Sequence, residues 1–208
     1  MQSKPDEFVA PLGSAERGRL EFGRGAAEIT IAVGAGPKEL VHAHFDGAVP
    51  MVLGDDGRVT IEYPRRSPSQ WLRPDSHGAT VLLNDSVQWE IRFSRGTWKL
   101  RADLSGVAVR SFEITGGVHE AEVVLPEPSG IVEVAIVGGA SQVSIRRPRD
   151  APATLAVAGG ASELTFDEQH FGALGGSTQL TSPGAGDAAD RYAIEISGGA
   201  SEVRITDR

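Results

Sequence analysis

Gly116-Gly117-Val118-His119-Glu120, Gly138-Gly139-Ala140-Ser141-Gln142, Gly159-Gly160-Ala161-Ser162-Glu163 and Gly198-Gly199-Ala200-Ser201-Glu202 are four versions of one phrase, each followed by alternating apolar residues. The glycine pairs lie 22, 21 and 39 residues apart, the last interval being close to two units. A fixed period of this size marks one structural element stacked on copies of itself. Downstream of the glycines the spacing predicts Ser141, Val143 and Ile145 on one face against Gln142, Ser144 and Arg146 on the other. Ser162, Leu164 and Phe166 oppose Glu163, Thr165 and Asp167 in the same way, as Ser201, Val203 and Ile205 oppose Glu202, Arg204 and Thr206. Period-two alternation is the pattern of a half-buried strand. Worn copies occur earlier, in Trp98, Leu100 and Ala102 and in Ala27, Ile29 and Ile31, so the repeat starts near residue 20.

A second strand precedes each glycine step. Trp89, Ile91 and Phe93 are predicted inward, then Phe112 and Ile114, then Val132, Val134 and Ile136, then Leu155 and Val157, then Tyr192, Ile194 and Ile196. Pro126-Glu127-Pro128-Ser129-Gly130, Pro148-Arg149-Asp150-Ala151-Pro152 and Ser182-Pro183-Gly184-Ala185-Gly186 separate the units. Proline lacks the amide donor that a ladder needs, so these are corners. Stacked in register, the inward column after the glycines reads Ala27, Trp98, His119, Ser141, Ser162, Thr178 and Ser201. A rung at Gly175-Gly176, supplying Thr178 and Leu180, is predicted to fill the double interval.

These patterns predict an all-β fold, a β-solenoid (parallel β-helix-like) of strand-Gly-Gly-strand rungs about 21 residues long. An antiparallel β-sandwich satisfies the same alternation; regular glycine spacing favours the solenoid. One rung cannot bury its apolar edge alone, so both ends of such a stack are exposed ladders where self-association would begin. The expected organisation is an N-terminal tail over 1–18, a β module over 19–66 with a hairpin at Asp56-Gly57, a loop over 67–80, and repeats over 81–208 continuous with 19–66.

Composition narrows the function. Twenty-six glycines and twelve prolines in 208 residues suit many short strands. A net charge of -8 disfavours nucleic acid and anionic membrane as main partners. With no cysteine there are no disulfides and no thiolate metal sites. The start has no apolar run of signal-peptide length, and no stretch reaches the roughly 18 apolar residues of a membrane helix. The reading is a chain without direct membrane insertion, cytoplasmic by default.

Leu20-Glu21-Phe22-Gly23-Arg24-Gly25-Ala26-Ala27-Glu28-Ile29, followed by Leu40-Val41-His42-Ala43-His44, resembles the N-terminal module of bacterial toastrack-type domains. Trp89-Glu90-Ile91-Arg92-Phe93 and the serial Gly-Gly-Ala-Ser steps resemble the "putative adhesin" repeats of the same group, so the likeness runs from about residue 19 to 205. It implies a β-solenoid of bacterial envelope and envelope-stress proteins, often beside membrane helices, with sensing, adhesion or scaffold roles and no catalytic residues.

Several residues are candidates for a site. His42, His44 and Asp46 stand at alternate positions, a spacing that can seat zinc; the competing reading is a polar strand face. His119 in His119-Glu120-Ala121-Glu122 is predicted to be a packed histidine of the inward column. The outward column Glu28, Lys99, Glu120, Gln142, Glu163 and Glu202 holds several carboxylates, and paired carboxylates can cleave glycosides, but a convex ladder lacks the necessary cleft. Arg146, Arg147 and Arg149 at one rung edge, with Arg65 and Arg66 after a Tyr-Pro turn, could grip a carboxylate or phosphate; the alternative is solvated corner charge. The glycines match neither a calcium β-roll nor a phosphate loop, and there is no Gly-x-Ser-x-Gly elbow. No catalytic, cofactor or metal residue is assigned. The expectation is a non-enzymatic binding, sensing or scaffold module that presents side-chain ladders to a protein or glycan partner. A self-assembling scaffold joined through the solenoid ends is the alternative, and a glycan or metal-assisted hydrolase the third reading.

Overall fold

The structure is a computed structural model that describes residues 6–23, 28–63 and 78–208. Predicted residues Ala27, Arg65 and Arg66 and most of the 67–80 loop lie outside this set. The described residues form nineteen strands and no helix, in two mixed sheets of ten and nine strands, called here the front and back sheets. Each repeat contributes one strand to each sheet. At the centre of the back sheet, β8 (Gln88–Phe93), β10 (Ala108–Thr115) and β12 (Ile131–Val137) pair in parallel. At the centre of the front sheet, β9 (Lys99–Asp103), β11 (Val118–Val124) and β13 (Ala140–Arg147) do the same. Between them the chain passes from back to front at the glycine steps.

Register is close to literal repetition. Val134 lies opposite Phe112 on one side and Ile194 on the other, and Val143 lies between Ala121 and Val203. Every back-sheet residue predicted inward is buried, from Trp89 to Ile196, and the apolar side chains of both sheets form one core. Phe22, Phe93 and Phe112 run across it, Phe22 stacked on Phe93 at 5.0 Å and Phe93 tilted on Phe112 at 5.8 Å. The buried Trp89 indole donates its N–H to the Asn84 carbonyl at 2.8 Å, so its polar atom is satisfied.

Rung order departs from chain order at both ends. The last rung, β18 (Arg191–Ile196) with β19 (Ala200–Asp207), sits between the β12/β13 rung and the rung of β14 (Ala153–Val157) and β15 (Ala161–Phe166). Likewise β2 (Arg17–Phe22) and β3 (Glu28–Val33) sit between β8/β9 and the rung of β6 (Arg58–Glu62) and β7 (Gly78–Leu83). Antiparallel pairing is confined to the ends. There β16 (Gln169–Leu174) turns back against β15 and β17 (Thr178–Thr181) against β14. At the opposite end β4 (Glu39–Asp46) runs against β7, β5 (Met51–Asp55) against β6, and β1 (Glu7–Pro11) against β4.

The double interval before Gly198 therefore holds something other than the extra forward rung expected at Gly175-Gly176. It holds a rung traversed in reverse, with Leu180 packed on the core from an edge strand. Stacking that must stop ends most simply by turning back, which makes the last strands antiparallel.

A second correction concerns the inward column. Glu120, Gln142, Glu163 and Glu202 have φ of 55°, 54°, 49° and 54°, so the four front strands that follow a glycine pair each carry a left-handed residue three positions after the second glycine. That residue consumes one step of the alternation, as in a bulge. The buried residues after the glycines are consequently Val118, Ala140 and Ala200, while Trp98, His119, Ser141, Ser162 and Ser201 turn outward. From Val143, Leu164 and Val203 onward the predicted alternation resumes.

At the corners backbone meets backbone. A Cβ placed on Gly198 would lie 2.3 Å from the Gly138 carbonyl oxygen, and one on Gly159 would lie 2.5 Å from the Gly198 carbonyl carbon, whereas one on Gly175 meets nothing within 4 Å. Gly198→Ala should therefore cost about 1–3 kcal/mol or more, and Gly175→Ala should leave stability within about 0.5 kcal/mol. Chemical denaturation of the two variants checks the contrast.

Candidate functional site

The outer face of the front sheet is a grid of side chains. Parallel in-register strands about 4.8 Å apart place like residues beside like, and the left-handed position adds a second polar column next to the first. In spatial order the first column is Trp98, His119, Ser141, Ser201 and Ser162. Trp98 and His119 lean together with ring centroids 4.5 Å apart, and Ser162 Oγ donates to Ser201 Oγ at 3.3 Å.

The second column is Glu28, Lys99, Glu120, Gln142, Glu202 and Glu163, the set predicted to face outward, in rung order. Its members engage one another. Lys99 Nζ lies 3.4 Å from Glu120 Oε1, Gln142 Nε2 donates to Glu202 Oε2 at 3.1 Å, and His170 Nε2 on β16 lies 3.4 Å from Glu163 Oε2. From Glu120 to Glu163 the column, with His170, Glu122, Ser144, Thr165 and Arg204, lines an open hollow of about 590 Å³. It is a shallow, mostly anionic trough running across rungs, suited to cationic or hydrogen-bonding groups of an extended ligand.

Two features of this face follow from residues whose role the strand alternation hid. The left-handed step is legible only as an oddity of spacing: Ala140 and Val143, both buried, stand three apart with two polar residues between them. His170 meets Glu163 because β16 doubles back, which no local pattern announces.

The other predicted groups are placed differently. His42, His44 and Asp46 do share a face of β4, but the ring nitrogens are occupied by carboxylates. His42 Nε2 lies 2.7 Å from Glu7 Oε1 and its Nδ1 3.3 Å from Glu39 Oε2; His44 Nε2 lies 3.4 Å from Asp46 Oδ1. Among the described residues no three His, Asp or Glu side chains converge as a metal site would require. The arginines around the Pro148-Arg149-Asp150 corner are not gathered. Arg147 is buried, bonded to the Asp167 carboxylate and the Ala151 carbonyl. Arg146 is exposed on the strand and Arg149 in the turn. Asp103, two rungs from Arg146, titrates below the usual range, chiefly because the Ser105 hydroxyl and amide donate to it, with Arg208 and Arg146 adding to the effect.

No protein-family model matches the chain, and no curated protein matches its sequence. Among solved structures it is similar to a "putative cell adhesion protein" from Clostridium sporogenes, with a TM-score of 0.75 over 98% of both chains at 16% sequence identity. That likeness shows a shared fold. A "putative adhesin" from Bacteroides fragilis aligns at 9% identity with a TM-score of 0.25, too low to indicate a common arrangement. No helix among the described residues is long and apolar enough to cross a membrane.

The His42 cluster carries a pH dependence. The Glu7 carboxylate raises the His42 pKa above 6.5, helped by Glu39 and opposed by partial burial. A raised folded-state value means the stabilisation is complete below 6.5 and is lost as pH rises through the folded-state value. Since Glu7 belongs to the edge strand β1, amide exchange at Val9 and Ala10, corrected for its intrinsic pH dependence, should accelerate as pH rises above about 6.5. Glu7→Gln should abolish that acceleration.

Proposed function

We propose that this chain is a non-enzymatic binding module, a flattened β-solenoid whose front face displays ordered side-chain columns to an extended partner lying across the rungs. The observation that carries the reading is the in-register outward column Lys99, Glu120, Gln142, Glu202 and Glu163, repeated rung by rung beside the serine column. A row of this kind meets a repetitive ligand with equivalent contacts at each step, so modest single contacts add along its length. The name of the Clostridium sporogenes neighbour, a "putative cell adhesion protein", fits a binding role and an envelope or extracellular setting. The carboxylates lie in an open trough and not in a closed cleft, which suits display better than glycoside hydrolysis.

The test is capture from the native cells with the intact chain and with Glu120→Lys/Glu163→Lys/Glu202→Lys, both checked for folding by circular dichroism. The captured partner, once identified and purified, should bind the triple variant at least about tenfold more weakly, with the difference shrinking at high salt. Equal affinity for both proteins would overturn the reading.

A second reading, self-association through an end of the stack, is favoured by one observation. The edge strand β5 and the turn before it expose Val49, Met51 at 55% and Leu53 at 58%. An apolar edge strand is a template for pairing with another copy. Sedimentation velocity over a wide concentration range should show a reversible larger species that Leu53→Lys removes; a monomer at every concentration would exclude it.

A further inference from the structure

Beyond the rung of β18 and β19 the stack ends in a four-strand unit, residues 153–181. There β17 runs back against β14 and β16 against β15, so the unit is a small two-layered sandwich. Leu155, Val157 and Leu180 line one layer and Leu164, Phe166 and Phe171 the other, which gives it an apolar interior of its own. Its entry and exit lie at one corner. Thr154 is paired with Thr181, the Ala153 amide donates to Ser182 Oγ at 2.8 Å, and the Ser182 amide donates to the Ala153 carbonyl at 2.9 Å. Both connections to the rest of the chain, 148–152 and 182–190, therefore leave along a single line, which is the arrangement of a hinge.

The unit is joined to the stack more lightly than its neighbour is. On the inner side the β18/β19 rung pairs along 131–136 and 140–147, but on the outer side only along 153–157 and 161–166. Side chains reinforce the inner joint: the Tyr192 hydroxyl donates to the Pro126 carbonyl, Arg208 to the Leu125 carbonyl at 3.0 Å, and Gln142 to Glu202. Across the outer joint run the Ser162 to Ser201 contact and a 3.5 Å bond from Thr154 Oγ1 to the Tyr192 carbonyl. A hollow of about 500 Å³ opens beside that joint, between Asp207 on one side and Gln169 and Pro183 on the other.

One contact bypasses the joint. Arg147 closes β13, Asp167 stands at the tip of the β15–β16 hairpin, and β19 lies between their two strands. The Arg147 guanidinium, on a residue only 4% exposed, reaches past β19 to the Asp167 carboxylate. A pair with one partner this deep adds little net stability, yet removing either partner leaves the other charge stranded. Asp167 has a side chain 22% exposed and would return to water if the unit swung away, so Arg147 acts on the closed position.

We propose that residues 153–181 are a hinged lid, latched by Arg147 on Asp167, whose closing completes the front trough. The lid carries Glu163, Thr165 and His170, whereas Glu120, Gln142 and Glu202 stay on the body. Closed, the outward column runs on to Glu163; open, it stops at Glu202. Opening is a sub-global step that leaves the other rungs folded. The lid's role rests on the display reading above and supplies the regulation of that site.

The test is native-state hydrogen exchange read by mass spectrometry. Amides of 153–181 should exchange as one group, ahead of 131–147 and 191–207. Arg147→Met should speed that group at least about tenfold, and Asp167→Asn should act in the same direction, neither changing 108–137. The chain has no cysteine, and Ser162 and Ser201 Oγ stand 3.3 Å apart, so Ser162→Cys/Ser201→Cys can be oxidised to a staple across the joint. The staple should slow 153–181 when oxidised and release it on reduction. Exchange of 153–181 at the rate of 191–207, acceleration that is absent from both charge variants or spread over the whole chain, or a staple without effect overturns the lid. Saturation with the captured partner should also slow β14 and β17, back-sheet strands that a ligand on the front face does not touch. Protection confined to β15 and β16 overturns the coupling of lid to trough. Exchange in the unliganded chain needs no partner, so the lid can stand even where the triple carboxylate variant binds as wild type and the display reading fails.

Discussion

The contact on which the molecule depends is the one between main chains at the glycine corner. Gly198 donates its amide to the Gly138 carbonyl at 2.9 Å and Gly159 to the Gly198 carbonyl at 3.2 Å, while Ala140 and Ala200 take the carbonyls of Gly199 and Gly160. These bonds need the corners closer together than any side chain permits. Once the corners are fixed at one height per rung, register is fixed for the strands on either side. Apolar columns then meet inside and polar columns line up outside without further instruction. Stability and display are therefore two results of one constraint.

The left-handed residues after the corners show what that alignment costs. A non-glycine residue in this region of φ carries a penalty of about 1–2 kcal/mol, and the front sheet accepts it at Glu120, Gln142, Glu163 and Glu202. None of these is glycine, although glycine would sit there without strain. What the side chains provide is the second polar column, including the Gln142 to Glu202 hydrogen bond and the ion pairs with Lys99 and His170. Retaining strain at a surface position is a common mark of a face that does something besides fold.

Much of this was legible in the residues. The glycine doublets announced a stacked all-β repeat, and the back-sheet core from Trp89 to Ile196 followed from period two because those strands run uninterrupted. The front strands misled over their first two residues, since alternation cannot register a left-handed step; His119 is thereby expected inside when it lies outside, and Trp98 also lies outside although Lys99 beside it is not left-handed. Order along the stack was hidden for a different reason. Rungs with the same inward pattern are interchangeable in sequence, and Val203 reads the same beside Val143 as beside Leu164, although it lies between them. The reversed edge strands are short and weakly patterned, so Gln169–Leu174 gave no sign that it turns back.

The position of residues 191–207 between two rungs made earlier has a consequence for synthesis on the ribosome. During translation the β12/β13 and β14/β15 rungs emerge first, yet they cannot meet; a gap one rung wide stays open between them until residues 191–207 have emerged. The final segment is a keystone, bonding to both flanks in both sheets at once. This part of the stack thus cannot mature in step with elongation, and the nascent chain carries two unsatisfied strand edges until residues 191–207 are free to enter.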